Sequence, residues 1–207
     1  MHHKTDDSNS IPQDAIREIG NIGFGHAATT LSQMLGKKIH ISVPKAKILA
    51  LGELSQMTGD PNNLVAGLIY TLVGDANGKV GLIFPEVSAL RLADLLLKKP
   101  AGSSKALGEL GRSAIKETGN AMAGAFMASL NDLLKLKLLI ALPDMVYGKV
   151  GGFLGGVVRG AGQSSQAICV EARFTAASDA VGVCFILAAD EGSMQAIFRA
   201  IRACCLN

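Results

Sequence analysis

Apolar residues recur along this chain at two spacings. From residue 10 the spacing is helical: Ile16, Ile19, Ile22 and Leu31 mark one side, while Asp14, Glu18 and Asn21 mark the other. Ser10-Ile-Pro-Gln13 supplies a capping-box start, and Gly36 a C-terminal stop. From Lys37 to Leu51 the spacing falls to two, with Ile39, Ile41 and Val43 alternating until Pro44 demands an edge, a bulge or a bend. Gly59–Asn63 reads as a turn, Val65–Val73 as a strand, Asp75-Ala-Asn-Gly78 as a hairpin turn and Gly81–Phe84 as the returning strand. Helical spacing returns after Pro85-Glu86 through Val87, Leu90, Leu92, Ala93 and Leu95–Leu97, and Lys98-Lys-Pro100 ends it. Residues before about 10 read as a loose tail.

The same order then repeats. A helix is expected over Lys105–Leu134, a strand over Leu136–Leu142 ending at Pro143, and a hairpin from Ala167–Phe174 and Val181–Leu187 joined through Thr175–Asp179. An amphipathic helix over Glu191–Cys205 closes the pattern. Gly148–Gly156 is rich in glycine and reads as an exposed loop or loose hairpin. It lacks the Gly-Lys-Ser/Thr order of a phosphate-cradling loop, which excludes a nucleotide site of that kind. Hairpins and alternation predict an α+β fold with an antiparallel sheet and the two longest helices packed on one face. The expected organisation is one domain over residues 1–207, made of two pseudo-two-fold repeats at about 10–100 and 104–207. Strand order, and any exchange of strands between the halves, stays open.

The repeat is sharpest in the two long helices. Asp14-Ala-Ile-Arg-Glu18-Ile-Gly-Asn21-Ile-Gly-Phe-Gly25 returns as Ser113-Ala-Ile-Lys-Glu117-Thr-Gly-Asn120-Ala-Met-Ala-Gly124, at a constant offset of 99 residues (113 − 14, 120 − 21). Pro44 and Pro143 share that offset. At about 100° per residue, Asp14, Glu18, Asn21 and Gly25 fall within roughly 60° of one another. Each helix thus carries a narrow stripe with a carboxylate and a carboxamide side by side. Glutamate on a helix is usually a solvated surface residue. However, core positions repeat as apolar residues, and here the best-repeated positions are Glu, Asn and Gly. The pattern therefore favours a pair of functional sites. Helix-interior glycines cost about 1 kcal/mol each relative to alanine, so Gly20, Gly23 and Gly25 imply close approach of another backbone or a partner surface. Gly25 and Gly124 read as clearance for packing rather than as chemistry.

An amide neither gains nor loses a proton near neutral pH, so Asn cannot be a general base. It can hold a water by accepting and donating hydrogen bonds. Orientation of a nucleophile is worth on the order of 7–11 kcal/mol at the extreme, and phosphoryl transfer depends on placement and charge stabilisation more than on covalent chemistry from the protein. At these residues the chain resembles the CheC family of chemotaxis phosphatases, to whose wider group CheX and FliY belong. The resemblance rests on the duplicated [D/S]-x-x-x-E-x-x-N signature and covers essentially the whole chain. It implies a phosphatase acting on the phosphoaspartate of a CheY-like response regulator. Glu18 and Glu117 would dock a lysine of that partner, and Asn21 and Asn120 would position the attacking water. Asp14, Ser113, Gly25 and Gly124 would be supporting residues. Mg²⁺ would come with the partner, and this chain would bind no metal or cofactor. The resemblance also leaves a non-catalytic or weakly catalytic alternative, a binding module for the receptor deamidase CheD or for the flagellar switch. The switch reading is the weaker one, since no appended domain follows Asn207. Because Asp14 faces Ser113 across the repeat, the two sites need not be equally strong.

Composition narrows this further. A net charge of +3 with scattered Lys and Arg gives no reason to expect nucleic-acid binding. The four cysteines form no CxxC pair, and the four histidines complete no metal spacing. Cys169 and Cys184 sit in apolar strand-like runs as ordinary buried thiols, which points to a reducing cytoplasm. Residues 1–10 are polar and do not resemble a signal peptide, and no apolar run is long enough to span a bilayer. A duplicated chain already holds two sites, so a monomer is the expectation.

Overall fold

The alternating segments pair as two hairpins. β2 (Leu64–Gly74) pairs with β3 (Gly78–Pro85), and β6 (Gln166–Ala176) pairs with β7 (Asp179–Ala189). In this computed structural model, which describes residues 11–159, 161, 166–176 and 179–205, the hairpins join through β3 and β7. They form the middle of a seven-stranded antiparallel sheet of order β1-β6-β7-β3-β2-β4, with β5 also on β2. The expected tail, the capping role of Ser10 and the middle of the Thr175–Asp179 turn lie outside the described residues.

Each half lends its first strand to the other. β1 (His40–Ala50) runs along β6, whereas β4 (Leu138–Ile140) and β5 (Asp144–Lys149) run along β2. The lent strands are sheet edges, with one repeated proline inside β1 and the other at the junction of β4 and β5. Proline cannot donate to a ladder, so it is tolerated at an edge or a bulge. Pro44 lies where the β1/β6 register shifts between Ser42 and Lys45. Pro143 separates β4 from β5. The expected strand Leu136–Leu142 is therefore shorter, Leu138–Ile140, and a further strand that was not expected follows Pro143 over Asp144–Lys149.

Alternation sorts the strand residues into two layers. Leu68, Tyr70, Leu82, Phe84, Val170, Phe174, Val183 and Phe185 face one side, where they pack with α1 (Gln13–Leu35), α3 (Glu86–Leu96), α4 (Glu109–Leu134) and α6 (Glu191–Cys205). Val65, Ile69, Ile83, Cys169, Cys184 and Ile186 face the other. There they meet α5 (Val150–Arg159) and a short turn of helix, α2 (Ser55–Thr58). α1 ends as expected, with Gly36 left-handed at φ 61°. It starts at Gln13 with Pro12 in the cap position and no side-chain cap. α4 starts at Glu109, later than the predicted Lys105.

The glycine-rich stretch corrects the expectation of a loop. Residues 150–159 are α5, with Val150, Phe153 and Val157 fully buried on one stripe. Helix propensity argues against four glycines here, but packing overrides it. A Cβ on Gly67 would lie 2.2 Å from the Phe153 ring and one on Gly81 3.1 Å from it. The ring thus fills the space above two sheet glycines. On the helix side, a Cβ on Gly156 would meet Ile69 at 2.7 Å. Glycines on both surfaces let α5 lie directly on the sheet.

Candidate functional site

The helix periodicity holds on both long helices. On α1, Ala15, Ile16, Ile19 and Phe24 are buried, while Asp14, Glu18 and Asn21 are exposed. On α4, Ile115, Met122, Ala123 and Phe126 are buried, while Ser113, Glu117, Asn120 and Gly124 are exposed. Gly25 is half-buried. Asp14 makes an i,i+3 ion pair with Arg17 at 3.7 Å, and its side chain is 94% exposed, so screening leaves the pair little energy.

α1 and α4 pack against one another through aromatic rings. Phe24 meets Phe126 edge-on with centroids 4.9 Å apart, and Phe126 stacks on Phe185 at 4.1 Å. The motif glycines divide into two kinds. An added Cβ on Gly23 would lie 2.5 Å from the Phe126 ring, one on Gly20 2.6 Å from Val170, and one on Gly119 2.4 Å from Leu68. These three let the helices settle onto each other and onto the sheet. Gly25 and Gly124 differ: an added Cβ would meet nothing within 4 Å. Packing inside this chain therefore does not explain them, contrary to the expectation of packing clearance.

At the second stripe the surface is concave. Ser113, Lys116, Glu117 and Asn120 line a shallow depression of about 240 Å³ whose far wall is Leu142 and Pro143. The Leu142 side of this wall was missed from sequence. The available signal was the shared offset of Pro44 and Pro143, which was read only as a strand break. The two edge strands differ here. Val43 is buried and Pro44 exposed in β1, whereas Leu142 is exposed and Pro143 buried. The start of α4 is anchored beside this depression. The Arg112 guanidinium lies 4.9 Å from the Tyr147 ring centre, and the Tyr147 hydroxyl donates to Glu86 at 2.5 Å. That hydrogen bond, followed by burial, pushes the Tyr147 hydroxyl above its ordinary pKa.

Elsewhere the titratable groups are structural. Burial alone raises the Cys169 thiol to about 12, and burial first, then the neighbouring Cys169, raises Cys184. Lys45 and Glu171 pair at 3.3 Å across β1 and β6. Among the described residues no group of three His, Cys, Asp or Glu comes together as a metal site, and no helix is long and apolar enough to cross a membrane.

Two hairpins sharing one sheet, edge strands exchanged between the halves, and long helices on one face define the fold of the CheC, FliY and FliM proteins. FliY of Thermotoga maritima superposes with a TM-score of 0.76 over 98% of this chain and 99% of that one, at 22% identity. The FliM middle domain of H. pylori superposes at 0.68 over 95% and 99%, at 10% identity. The model of the CheC-like family matches residues 11–48, which are α1 and β1. Over 143 residues, 68% of each chain, the sequence is 35% identical to the CheY-P phosphatase CheC of Bacillus subtilis (strain 168). It is 30% identical over 141 residues to the flagellar motor switch phosphatase FliY of the same organism, covering 68% of this chain and 36% of that protein. The chain belongs to the CheC-like family.

Proposed function

We propose that this chain is a phosphatase for the phosphoaspartate of a CheY-like response regulator, with one site on α1 and one on α4. The observation that carries this reading is the exposed Glu/Asn stripe, repeated at an offset of 99 residues on two helices whose opposite faces are buried. The relative named for CheY-P phosphatase activity supports it. A phosphoaspartate is an acyl phosphate and needs little activation. Its hydrolysis requires a water in line with the P–O bond to the aspartate oxygen, and neutralised phosphoryl charge.

Asn21 and Asn120 would supply the first requirement. Each carboxamide accepts from the water O–H and holds its oxygen toward phosphorus. The water oxygen bonds to phosphorus, the P–O bond to the aspartate breaks, and the partner's carboxylate leaves with the bonding pair. The water proton passes to the phosphate or to solvent. Glu18 and Glu117 would ion-pair with a lysine of the partner and fix the angle of docking. Mg²⁺ would enter with the partner's own acidic site. Asp14 and Ser113 flank each docking surface. Gly25 and Gly124, where an added Cβ would meet nothing, would leave room for the partner's main chain against the helix.

Purified protein added to a phosphorylated CheY-like regulator with Mg²⁺ should accelerate phosphate loss in proportion to its concentration. Glu18→Ala with Glu117→Ala should raise KM far more than it lowers kcat, as loss of a docking contact requires. No acceleration at any protein concentration would refute the reading.

A further inference from the structure

The two stripes match in sequence, but their walls do not. Strand side chains alternate between faces, so a one-residue slip inverts which of two neighbours points outward. The bulge in β1 leaves Val43 buried at 8% exposure beneath α1, where its Cγ1 sits 3.3 Å from a Cβ placed on Gly20. The break between β4 and β5 does the reverse. Pro143 turns in, and Leu142 turns out with 88% of its surface in water. It is the most exposed large apolar residue among those described, and it stands on the rim of the Glu117/Asn120 depression. Leu110, 66% exposed, lies about 20° around α4 from Glu117. Its counterpart Ile11 is half-buried. Among the described residues, the first stripe's counterparts of Leu142 and Leu110 are thus the buried Val43 and the half-buried Ile11. The first stripe has instead the exposed Asp14 carboxylate, where the second stripe has Ser113.

We infer that Leu142 is an apolar docking contact for the phosphorylated regulator at the second site only. The two sites therefore grip the same partner by different physics. This rests on the function proposed above. The occupant is the regulator's receiver domain, because the rim is continuous with the residues that would hold its phosphoaspartate, and a docked partner covers both at once. The second site adds leucine burial to the Glu117 ion pair on docking and is less sensitive to salt than the first. The first site depends on charged side chains, whose attraction ionic strength screens.

The test uses full-length chains with one site silenced. Asn21→Ala leaves the second site working, and Asn120→Ala leaves the first. In the Asn21→Ala chain, adding Leu142→Ala should raise KM for the phosphorylated regulator roughly tenfold, the equivalent of about 1.4 kcal/mol of lost burial, with kcat within about twofold. Leu142→Met should restore KM. In the Asn120→Ala chain Leu142→Ala should change nothing. Raising salt should lift KM more steeply for the Asn120→Ala chain than for the Asn21→Ala chain. Leu142 is exposed, so melting temperatures should match and exclude misfolding as the cause. Unchanged KM in the Asn21→Ala chain, or the same rise in both chains, overturns the inference while leaving the phosphatase reading intact. Single-site chains and wild type that all fail to dephosphorylate overturn the reading itself, and this inference with it.

Discussion

Replacing Gly25 and Gly124 together by alanine should make the protein more stable. Both lie in the middle of long helices, and an added Cβ at either position has no neighbour within 4 Å. The substitution therefore adds no clash and no burial. What remains is helix propensity, about 1 kcal/mol per site. For a chain of 207 residues each kcal/mol corresponds to about 2–4 °C in Tm, so the pair should raise Tm by about 4–8 °C. Gly23→Ala is the control. Its Cβ would come within 2.5 Å of a Phe126 ring that is stacked on Phe185 and cannot swing aside. Overpacking of about 1–3 kcal/mol then exceeds the propensity gain, and Tm should fall. Thermal melts by circular dichroism, with calorimetry to check two-state behaviour, decide the matter. A Gly25→Ala/Gly124→Ala protein that melts at or below wild type would show that these backbones are not free, and the argument for an open docking face would fail.

Other outcomes follow from the same structure. Phe153→Ala should destabilise by about 3–5 kcal/mol, because the ring is fully buried over Gly67 and Gly81 and nothing else fills that space; denaturant titration measures it. Asp94 on α3 is buried, and burial would raise its carboxyl, but hydrogen bonds from Ser104, Ser103 and the Gly102 amide outweigh this and hold it below its ordinary value. Its stabilising contribution is then present above the unfolded value near 4 and is lost as pH falls through the lower folded value. Asp94→Ala should melt a few degrees below wild type at pH 7, and the gap should close below about pH 4. Cys169 and Cys184 are buried with raised thiols, so iodoacetamide at pH 8 should leave both unmodified until the protein is unfolded, as peptide mass mapping would show.

Sequence was most informative where a single element decides its own pattern. β2, β3, β6 and β7 were legible as short apolar runs bounded by turn residues, because both sheet faces are covered and nearly every strand residue is buried in one layer or the other. The stripes on α1 and α4 were legible because i, i+4 and i+7 positions share a helix face whatever lies beneath. Elements set by distant partners were not legible. α5 looks like a loop because what holds it on the sheet is distant in sequence: Phe153 sits over Gly67 and Gly81, more than seventy residues away, and Gly156 lies against Ile69. The exchange of β1 and β4/β5 between halves depends on pairings no local propensity encodes. Likewise, Gly20 and Gly25 look alike in sequence, yet one touches Val170 and the other touches nothing. Pro143 was visible as a repeat of Pro44, but the opposite burial of the two prolines, which turns Leu142 outward, follows from a bulge on one edge and a break on the other.

The most direct test of the central claim is single-turnover phosphate release from an aspartyl-phosphorylated CheY-like regulator, comparing wild type with Asn21→Ala/Asn120→Ala at saturating protein. The account predicts that the double variant binds the phosphorylated regulator with unchanged affinity and melts at the wild-type temperature, while its rate drops to that of the regulator alone. A double variant that releases phosphate as fast as wild type would contradict it, because the two amides would then have no part in placing the water.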